Sequence, residues 1–264
     1  MLGAIIGDIV GSQYEWRNNK SKNFTFFTGA CHYTDDSLMT LAIAQAFTLR
    51  KGRWREPGFQ KFVVEKMVEM GKAHQACSWG KSFYDWFMYN PVPYNSYGNG
   101  SAMRVSSVGW ISESEEDVIY FSRLVTEVSH NHPEGIKGAE ATASAIFLAR
   151  TGSSKSEIKA YIEENFHYDL SRTCDEIRPA YRHVESCQET VPEAITAFLE
   201  GRSFEDVIRT AVSLGGDCDT LTCIAGSIAE GYYGVPEELK QQCRERLPED
   251  LRKVLRRFEK TLHS

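Results

Sequence analysis

The chain has 264 residues, of which 42% are hydrophobic and 25% charged, and its formal net charge is −6. This is the composition of an ordinary globular protein, and it excludes an intrinsically disordered chain. The acidic balance argues against stable binding of nucleic acid through its phosphates, because that function needs a basic face.

The cysteines and the N-terminus indicate a reducing compartment. The seven cysteines are scattered and include no CxxC pair, so neither a disulfide framework nor a zinc knuckle is indicated. The apolar N-terminus lacks a basic n-region and is interrupted by Asp8. No stretch approaches the ~20 apolar residues of a membrane span. We therefore expect a cytoplasmic protein with free thiols and no membrane contact.

Apolar residues recur at helical spacing along most of the chain, whereas strand-like alternation is rare. After Asp36 they fall at i, i+3 and i+4 positions as far as Leu49, which predicts a helix that faces a core. Pro236 and Pro248 stand where first-turn prolines are tolerated, and each is expected to open a C-terminal helix. The same spacing predicts helices over 59–70, 115–128, 135–149, 156–162, 192–199, 204–214 and 220–233. The predicted fold class is all-α.

Two segments are predicted to be loops. The segment 90–99 is rich in turn formers, and the segment 166–187 is polar without a clear period. Neither is long or biased enough for a flexible interdomain linker, and the chain contains no internal repeat. We therefore predict a single domain over residues 1–264.

Two acidic clusters stand out, each directly before a predicted helix. Their sequences are YTDDS at 33–37 and GGDCDT at 215–220. Helix capping is one explanation, because Asp, Ser and Thr are favoured at N-caps. A cap needs one side-chain oxygen, however, and each cluster supplies two carboxylates and a Thr hydroxyl. Carboxylates gathered in poorly hydrated surroundings repel one another unless a cation offsets their charge, and oxygen ligands of this kind suit Mg²⁺ or Mn²⁺.

Three further segments carry candidate polar groups. Glu15 follows Asp8 by seven residues, so the two would share a face if this segment were helical; the alternative is a solvated glutamate. The segment NSYGNGSAMR at 95–104 can bring backbone N–H groups close to an anion, the alternative being a plain turn. His130 and His132 could ligate a metal or contact a substrate, although such a pair is also typical of polar surface.

Together these segments resemble the ADP-ribosylglycohydrolase family. The matching motifs run in the order GDIVGSQYE, YTDDS, YGNGSAMR, SHNHPEGIKGA and LGGDCDT, and they span roughly residues 3 to 233. The resemblance implies an all-α orthogonal multi-helix bundle with two Mg²⁺ or Mn²⁺ ions. It also implies hydrolysis of the bond at C1″ of the distal ribose, which releases ADP-ribose from a modified protein, nucleic acid or small molecule.

The resemblance assigns roles to individual residues. The metal ligands that it implies are Thr34, Asp35, Asp36, Asp217, Asp219 and Thr220. The substrate-binding residues that it implies are Ser96, Tyr97, Gly98 and Gly100 at the diphosphate, and His130 near the distal ribose. Glu15 is similar to an acidic residue beside the metals. We expect backbone N–H groups of 96–100 to receive the diphosphate, and the attacking water to be positioned by the ions or by a carboxylate from the set Glu15, Asp35, Asp36 and Asp219.

Two departures from the family pattern, Ser37 in place of Thr and Cys218 in place of Ala or Ser, remove no implied ligand. Two other functions use the same features. A nucleotide phosphohydrolase would also employ a two-metal carboxylate centre, and a catalytically silent relative would keep the fold as a binding or structural protein. The metal hypothesis requires the carboxylates of the two acidic clusters to lie within about 10 Å of each other.

Overall fold

The computed structural model describes residues 1–262, which form helices joined by loops, with one isolated antiparallel bridge between Gly98 and Ser186. This confirms the predicted all-α fold class. Over those residues the helices are α1 (Leu2–Ser12), α2 (Asp35–Leu49), α3 (Phe59–Ala73), α4 (Lys81–Met88), α5 (Gly100–Met103), α6 (Ser106–Ile111), α7 (Glu115–Thr126), α8 (Pro133–Arg150), α9 (Lys155–Phe166), α10 (Cys174–Ile177), α11 (Cys187–Glu200), α12 (Phe204–Leu214), α13 (Cys218–Tyr233), α14 (Glu237–Arg246) and α15 (Glu249–Leu262).

Every helix that the apolar spacing predicts is present, with ends that differ by a few residues. The largest difference is at α11, which begins five residues before the predicted start, so that Pro192 lies inside the helix and does not open it. The predicted loop 90–99 is irregular, whereas 166–187 contains the short helix α10. Within residues 1–262, no helix has both the length and the apolar character needed to cross a bilayer.

The central helix α1 was not predicted from the sequence. All of its residues are buried, and Asp8 is its one charged residue. A helix that is buried on every side has no polar face, and therefore no amphipathic period by which it could be recognised. The structure also ends this helix at Ser12, so Glu15 lies in the turn that follows and not on a shared helical face with Asp8.

Helix α1 packs directly against the backbone of α13. The contact face of α1 carries a glycine at every fourth position, namely Gly3, Gly7 and Gly11. A Cβ atom at Gly7 would come 2.5 Å from the carbonyl carbon of Thr222, and one at Gly11 would come 2.5 Å from the carbonyl oxygen of Cys218. Only glycine permits this approach, which brings the end of α1 beside the start of α13.

We expect Gly7→Ala to lower the free energy of unfolding by about 1–3 kcal/mol, because the added methyl group must push two buried helices apart. Urea denaturation followed by circular dichroism measures the change. Gly29→Ala is the matched control, since Gly29 is exposed and a Cβ atom there meets no atom within 4 Å. Its effect should stay within about 0.5 kcal/mol. Equal stability of the two variants would show that the close approach of α1 to α13 is not required.

Candidate metal centre and adjoining cavity

Carboxylates from three parts of the chain meet at the N-terminal ends of α2 and α13. Oxygen atoms of Asp8, Asp36 and Asp219 all lie within 4.8 Å of one another, and the same holds for Glu15, Asp217 and Asp219. Asp219 belongs to both groups. The two acidic clusters of the sequence, 181 positions apart, are therefore close enough to share cations, well inside the separation of about 10 Å that the hypothesis allows.

Asp8 is a member of this cluster that the sequence analysis did not single out. Its carboxylate accepts hydrogen bonds from the backbone N–H of Thr34 at 2.9 Å and of Ser37 at 3.1 Å. It also accepts from both side-chain hydroxyls, that of Thr34 at 2.7 Å and that of Ser37. These four bonds fix the start of α2 to α1. The available signal was a lone charged residue within an otherwise apolar segment.

The hydroxyls of the two clusters take part in the same network. Thr34 caps α2, where its Oγ1 accepts from the backbone N–H of Asp36 at 3.3 Å. Thr220 Oγ1 donates to Asp36 Oδ2 at 3.2 Å. The other oxygen of that carboxylate, Oδ1, is buried and has no hydrogen-bond partner among the described residues. A buried acceptor without a partner is costly, and a cation would satisfy it.

The electrostatics of the cluster also fit a cation. Burial raises the pKa values of Asp35, Asp36 and Asp219 well above their usual range, and the neighbouring carboxylates raise them further. Burial likewise raises the pKa of Asp217 to about 7, and burial together with Asp219 raises that of Glu15 to about 7. The helix dipoles of α2 and α13 favour negative charge at their N-termini, but they supply only partial positive charge. The carboxylates of the cluster are hard oxygen donors, and their combined negative charge suits Mg²⁺ or Mn²⁺.

Asn99 links the acidic cluster to the glycine-containing segment. Its Nδ2 donates to Asp217 Oδ2 at 2.7 Å and to Thr190 Oγ1 at 3.1 Å, and the side chain is buried. By its sequence context, between Gly98 and Gly100, Asn99 was expected only to form a turn. Its structural role is to orient Asp217 and to hold the segment against α11.

A cavity of about 460 Å³ opens beside the acidic cluster. This volume is within the usual range for small-molecule sites. The residues 78–83 form part of its wall, and Trp16 stacks on His183 at the rim with ring centroids 4.8 Å apart. The sequence predicted neither the segment 78–83 nor the Trp16–His183 pair as part of a site. The predicted site residues that line the cavity are Glu15, Asp35, Asp36, Ser96, Gly98, Gly100, His130, Asp217, Asp219 and Thr220.

Two structural features of the glycine segment bear on the predicted substrate contacts. The Tyr97 side chain is 51% exposed and packs edge to face on His132, so it does not line the cavity. Of the five backbone N–H groups at 96–100, that of Gly98 donates to Ser96 Oγ and that of Asn99 donates to the carbonyl of Glu185. Both of these N–H groups are therefore engaged with acceptors of the protein in this structure.

Arg104 supplies a cation that the sequence analysis did not assign. It lines the cavity, is only 1% exposed, and forms no salt bridge among the described residues. Lys81 also lines the cavity, but its Nζ is bonded to Asp85 Oδ2 at 2.7 Å. A buried guanidinium without a carboxylate partner makes the cavity receptive to an anion.

Comparison with known proteins gives matches along the whole chain. The ADP-ribosylglycohydrolase family model matches residues 1–263. The ADP-ribosylhydrolase ARH3 of Homo sapiens is 28% identical, and the match covers 92% of this chain and 87% of that protein. The ADP-ribosylarginine hydrolase Tri1 of Pseudomonas putida (strain GB-1) is 24% identical over 89% of this chain and 70% of its own length.

A solved structure of an ADP-ribosylglycohydrolase-related protein complex is similar in fold. Its TM-score is 0.71 at 19% sequence identity, and the match covers 99% of this chain and 97% of that one.

We expect Mg²⁺ or Mn²⁺ to raise the melting temperature of the chelator-treated protein by roughly 5–10 °C at about 100 times the dissociation constant. The reason is that a bound cation removes the repulsion among buried carboxylates. Differential scanning calorimetry at increasing metal concentration measures the shift. An unchanged melting temperature at millimolar metal would contradict the assignment of a metal centre.

Asp219→Asn should abolish most of the metal-induced rise in melting temperature, because Asp219 belongs to both groups of carboxylates. Without metal, this variant should melt no lower than the unaltered protein, since it removes one repelling charge. Asp175→Asn is the matched control, as the Asp175 side chain is 87% exposed and lies outside both groups. The control should retain the full shift. A full shift in Asp219→Asn would show that the ions bind elsewhere.

Proposed function

The chain belongs to the ADP-ribosylglycohydrolase family, and we propose that it uses two divalent cations to cleave the C1″ glycosidic bond of ADP-ribosylated substrates and release ADP-ribose. Hydrolysis of an ADP-ribosylated substrate is the general activity of this family of enzymes, and the match extends over residues 1–263. We also propose that the whole chain is one domain. The observation that carries the finer proposal is the pair of carboxylate groups that share Asp219 at one end of the cavity.

We propose that Mg²⁺ or Mn²⁺ would be held by the carboxylates of Asp35, Asp36, Asp217 and Asp219 together with the hydroxyls of Thr34 and Thr220. The unpartnered Asp36 Oδ1 and the raised pKa values of the buried acids support this choice. Bound cations would supply positive charge and Lewis acidity at the distal ribose. Asp8 has a different task, since its oxygens already accept four hydrogen bonds from Thr34 and Ser37.

Glu15 is the carboxylate that we favour for handling the attacking water. It is half-buried in the cavity wall and lies outside the helices, with an oxygen within 4.8 Å of oxygens of Asp217 and Asp219. Water forms the new bond to C1″ while the bond between C1″ and the leaving group breaks; the proton of the water passes to a carboxylate, and the leaving group takes the bonding electron pair and a proton from solvent. Asp35, Asp36 and Asp219 are the other candidates for this step.

The remaining walls of the cavity suit the rest of ADP-ribose. We propose that the segment of Ser96, Gly98 and Gly100 contacts the diphosphate and that His130 contacts the distal ribose. Arg104 adds a buried positive charge on the same side, which explains how an acidic protein can hold an anion. Tyr97 would contribute through its backbone, because its side chain packs on His132.

The carrier of the ADP-ribose group is best identified with a substrate panel. Arginine-linked, serine-linked and nucleic-acid-linked ADP-ribose are incubated with the protein, with and without chelator. Release of free ADP-ribose supports the proposal, whereas release of inorganic phosphate from nucleotides would favour a phosphohydrolase. Metal binding without any turnover would favour a catalytically silent relative.

We expect Asp217→Asn to lower kcat/KM for ADP-ribose release by at least roughly 100-fold, the size of loss typical when a group that acts on the transition state is removed. The fold should persist, because the variant keeps the size and the acceptor oxygen of the side chain. Chromatographic detection of ADP-ribose measures the activity, and circular dichroism checks the fold. Asp175→Asn serves again as the control and should be fully active. Full activity of Asp217→Asn would refute the assignment.

A further inference from the structure

The two ring nitrogens of His130 face different surroundings. The side chain is buried, and its Nδ1 lies 2.8 Å from Ser129 Oγ. Its Nε2 lies 3.2 Å from the position that a Cβ atom would take at Gly100, and makes no hydrogen bond among the described residues. Nδ1 therefore faces the protein interior, and Nε2 faces the glycine segment that lines the cavity.

Arg104 decides how the hydroxyl of Ser129 is used. Arg104 Nη2 donates a hydrogen bond to Ser129 Oγ at 2.8 Å, and to the carbonyls of Val125 and Thr126 at 3.3 and 3.4 Å. A guanidinium group has no acceptor, so the hydroxyl oxygen must accept in this contact. The hydroxyl hydrogen is then left to donate to another atom.

Only one acceptor for that hydrogen is present in the described part of the chain. Ser129 is fully buried, and the partners of its Oγ are Arg104 and His130. If His130 carried its proton on Nδ1, the serine hydroxyl would face two donors and its own hydrogen would have no acceptor. Such a buried, unsatisfied donor is costly. Donation from Ser129 Oγ to Nδ1 satisfies both the serine hydroxyl and Nδ1.

We propose that Arg104 and Ser129 are positioning residues that hold His130 as the neutral tautomer with its proton on Nε2, so that this N–H donates to an oxygen of ADP-ribose beside Gly100. The identity of that acceptor rests on the proposed function. The tautomer itself rests only on the contacts among these three side chains.

The charges around His130 favour the same neutral state. Its burial and the nearby Arg104 guanidinium lower the pKa of His130 well below its usual value. The aromatic rings of Tyr94 and Phe83 pack beside the imidazole, with centroids 5.8 and 6.4 Å away. No carboxylate bonds to His130 among the described residues. The residue therefore acts as a fixed donor and does not gain or lose a proton near neutral pH.

Nitrogen-15 NMR of the full chain, labelled in the histidine rings and kept in Mg²⁺, tests the tautomer directly. We expect an unprotonated Nδ1 and a protonated Nε2 for His130 at pH 7. The chain contains seven histidines, and the signals lost in His130→Gln identify the relevant ring. A protonated Nδ1, with or without a proton on Nε2, would overturn the inference.

Ser129→Ala tests whether the serine hydroxyl sets the tautomer. We expect a mixture of both tautomers in this variant and a dissociation constant for ADP-ribose that is about fivefold higher, the loss expected for one hydrogen bond. Ser122→Ala is the matched control, because Ser122 is also fully buried, has no hydrogen-bond partner among the described residues and does not line the cavity. Ser122→Ala should change neither the tautomer of His130 nor the dissociation constant for ADP-ribose. An unchanged tautomer in Ser129→Ala would contradict the role of Ser129.

The tautomer of His130 and the hydrolysis of ADP-ribosylated substrates can be refuted separately. A protein with the Nε2–H tautomer that releases no ADP-ribose from any substrate would support the inference and refute the proposed function. An active enzyme in which His130 carries its proton on Nδ1 would do the reverse.

Discussion

Mutual repulsion among buried carboxylates is the constraint on which the rest of this structure depends. Five acids take part, in two groups that share Asp219: Asp8, Asp36 and Asp219 form one, and the half-buried Glu15, Asp217 and Asp219 form the other, with oxygens within 4.8 Å of one another in each group. Such a group is unfavourable when fully ionised without compensation. Hydrogen bonds satisfy Asp8, but Asp36 keeps a buried oxygen without a partner. Divalent cations would remove the repulsion and complete that coordination, which makes the cluster the centre of the proposed chemistry.

The fold provides this arrangement through one close helix contact. Glycines on α1 let its backbone lie directly on that of α13, which sets Asp8 beside Asp219. The Asp8 carboxylate then fixes the start of α2 and thereby places Asp36. Asn99 joins Asp217 to the glycine segment, so a hydrogen bond holds the proposed substrate wall to the acidic cluster. Positioning residues of this kind determine the geometry without serving as ligands.

The sequence predicted those parts of the site that have a local signal. The pairs at 35–36 and 217–219 were recognisable because they stand at the starts of predicted helices and carry more carboxylates than capping requires. Asp8, Asn99 and Arg104 were missed because their roles depend on partners far away in the chain. Glu15 was assigned to the site through the family resemblance; the helical face that it was considered to share with Asp8 is absent, because α1 ends at Ser12 and Glu15 reaches the cluster from the turn that follows. Helix α1 was not predicted because all of its residues are buried, so its sequence shows no amphipathic period.

X-ray diffraction from crystals of the full chain grown with Mn²⁺, collected at the manganese absorption edge, tests the central claim most directly. We expect two anomalous peaks within the acidic cluster, bounded by Asp36, Asp217 and Asp219. An empty cluster in crystals that hold Mn²⁺ only at surface carboxylates would contradict it.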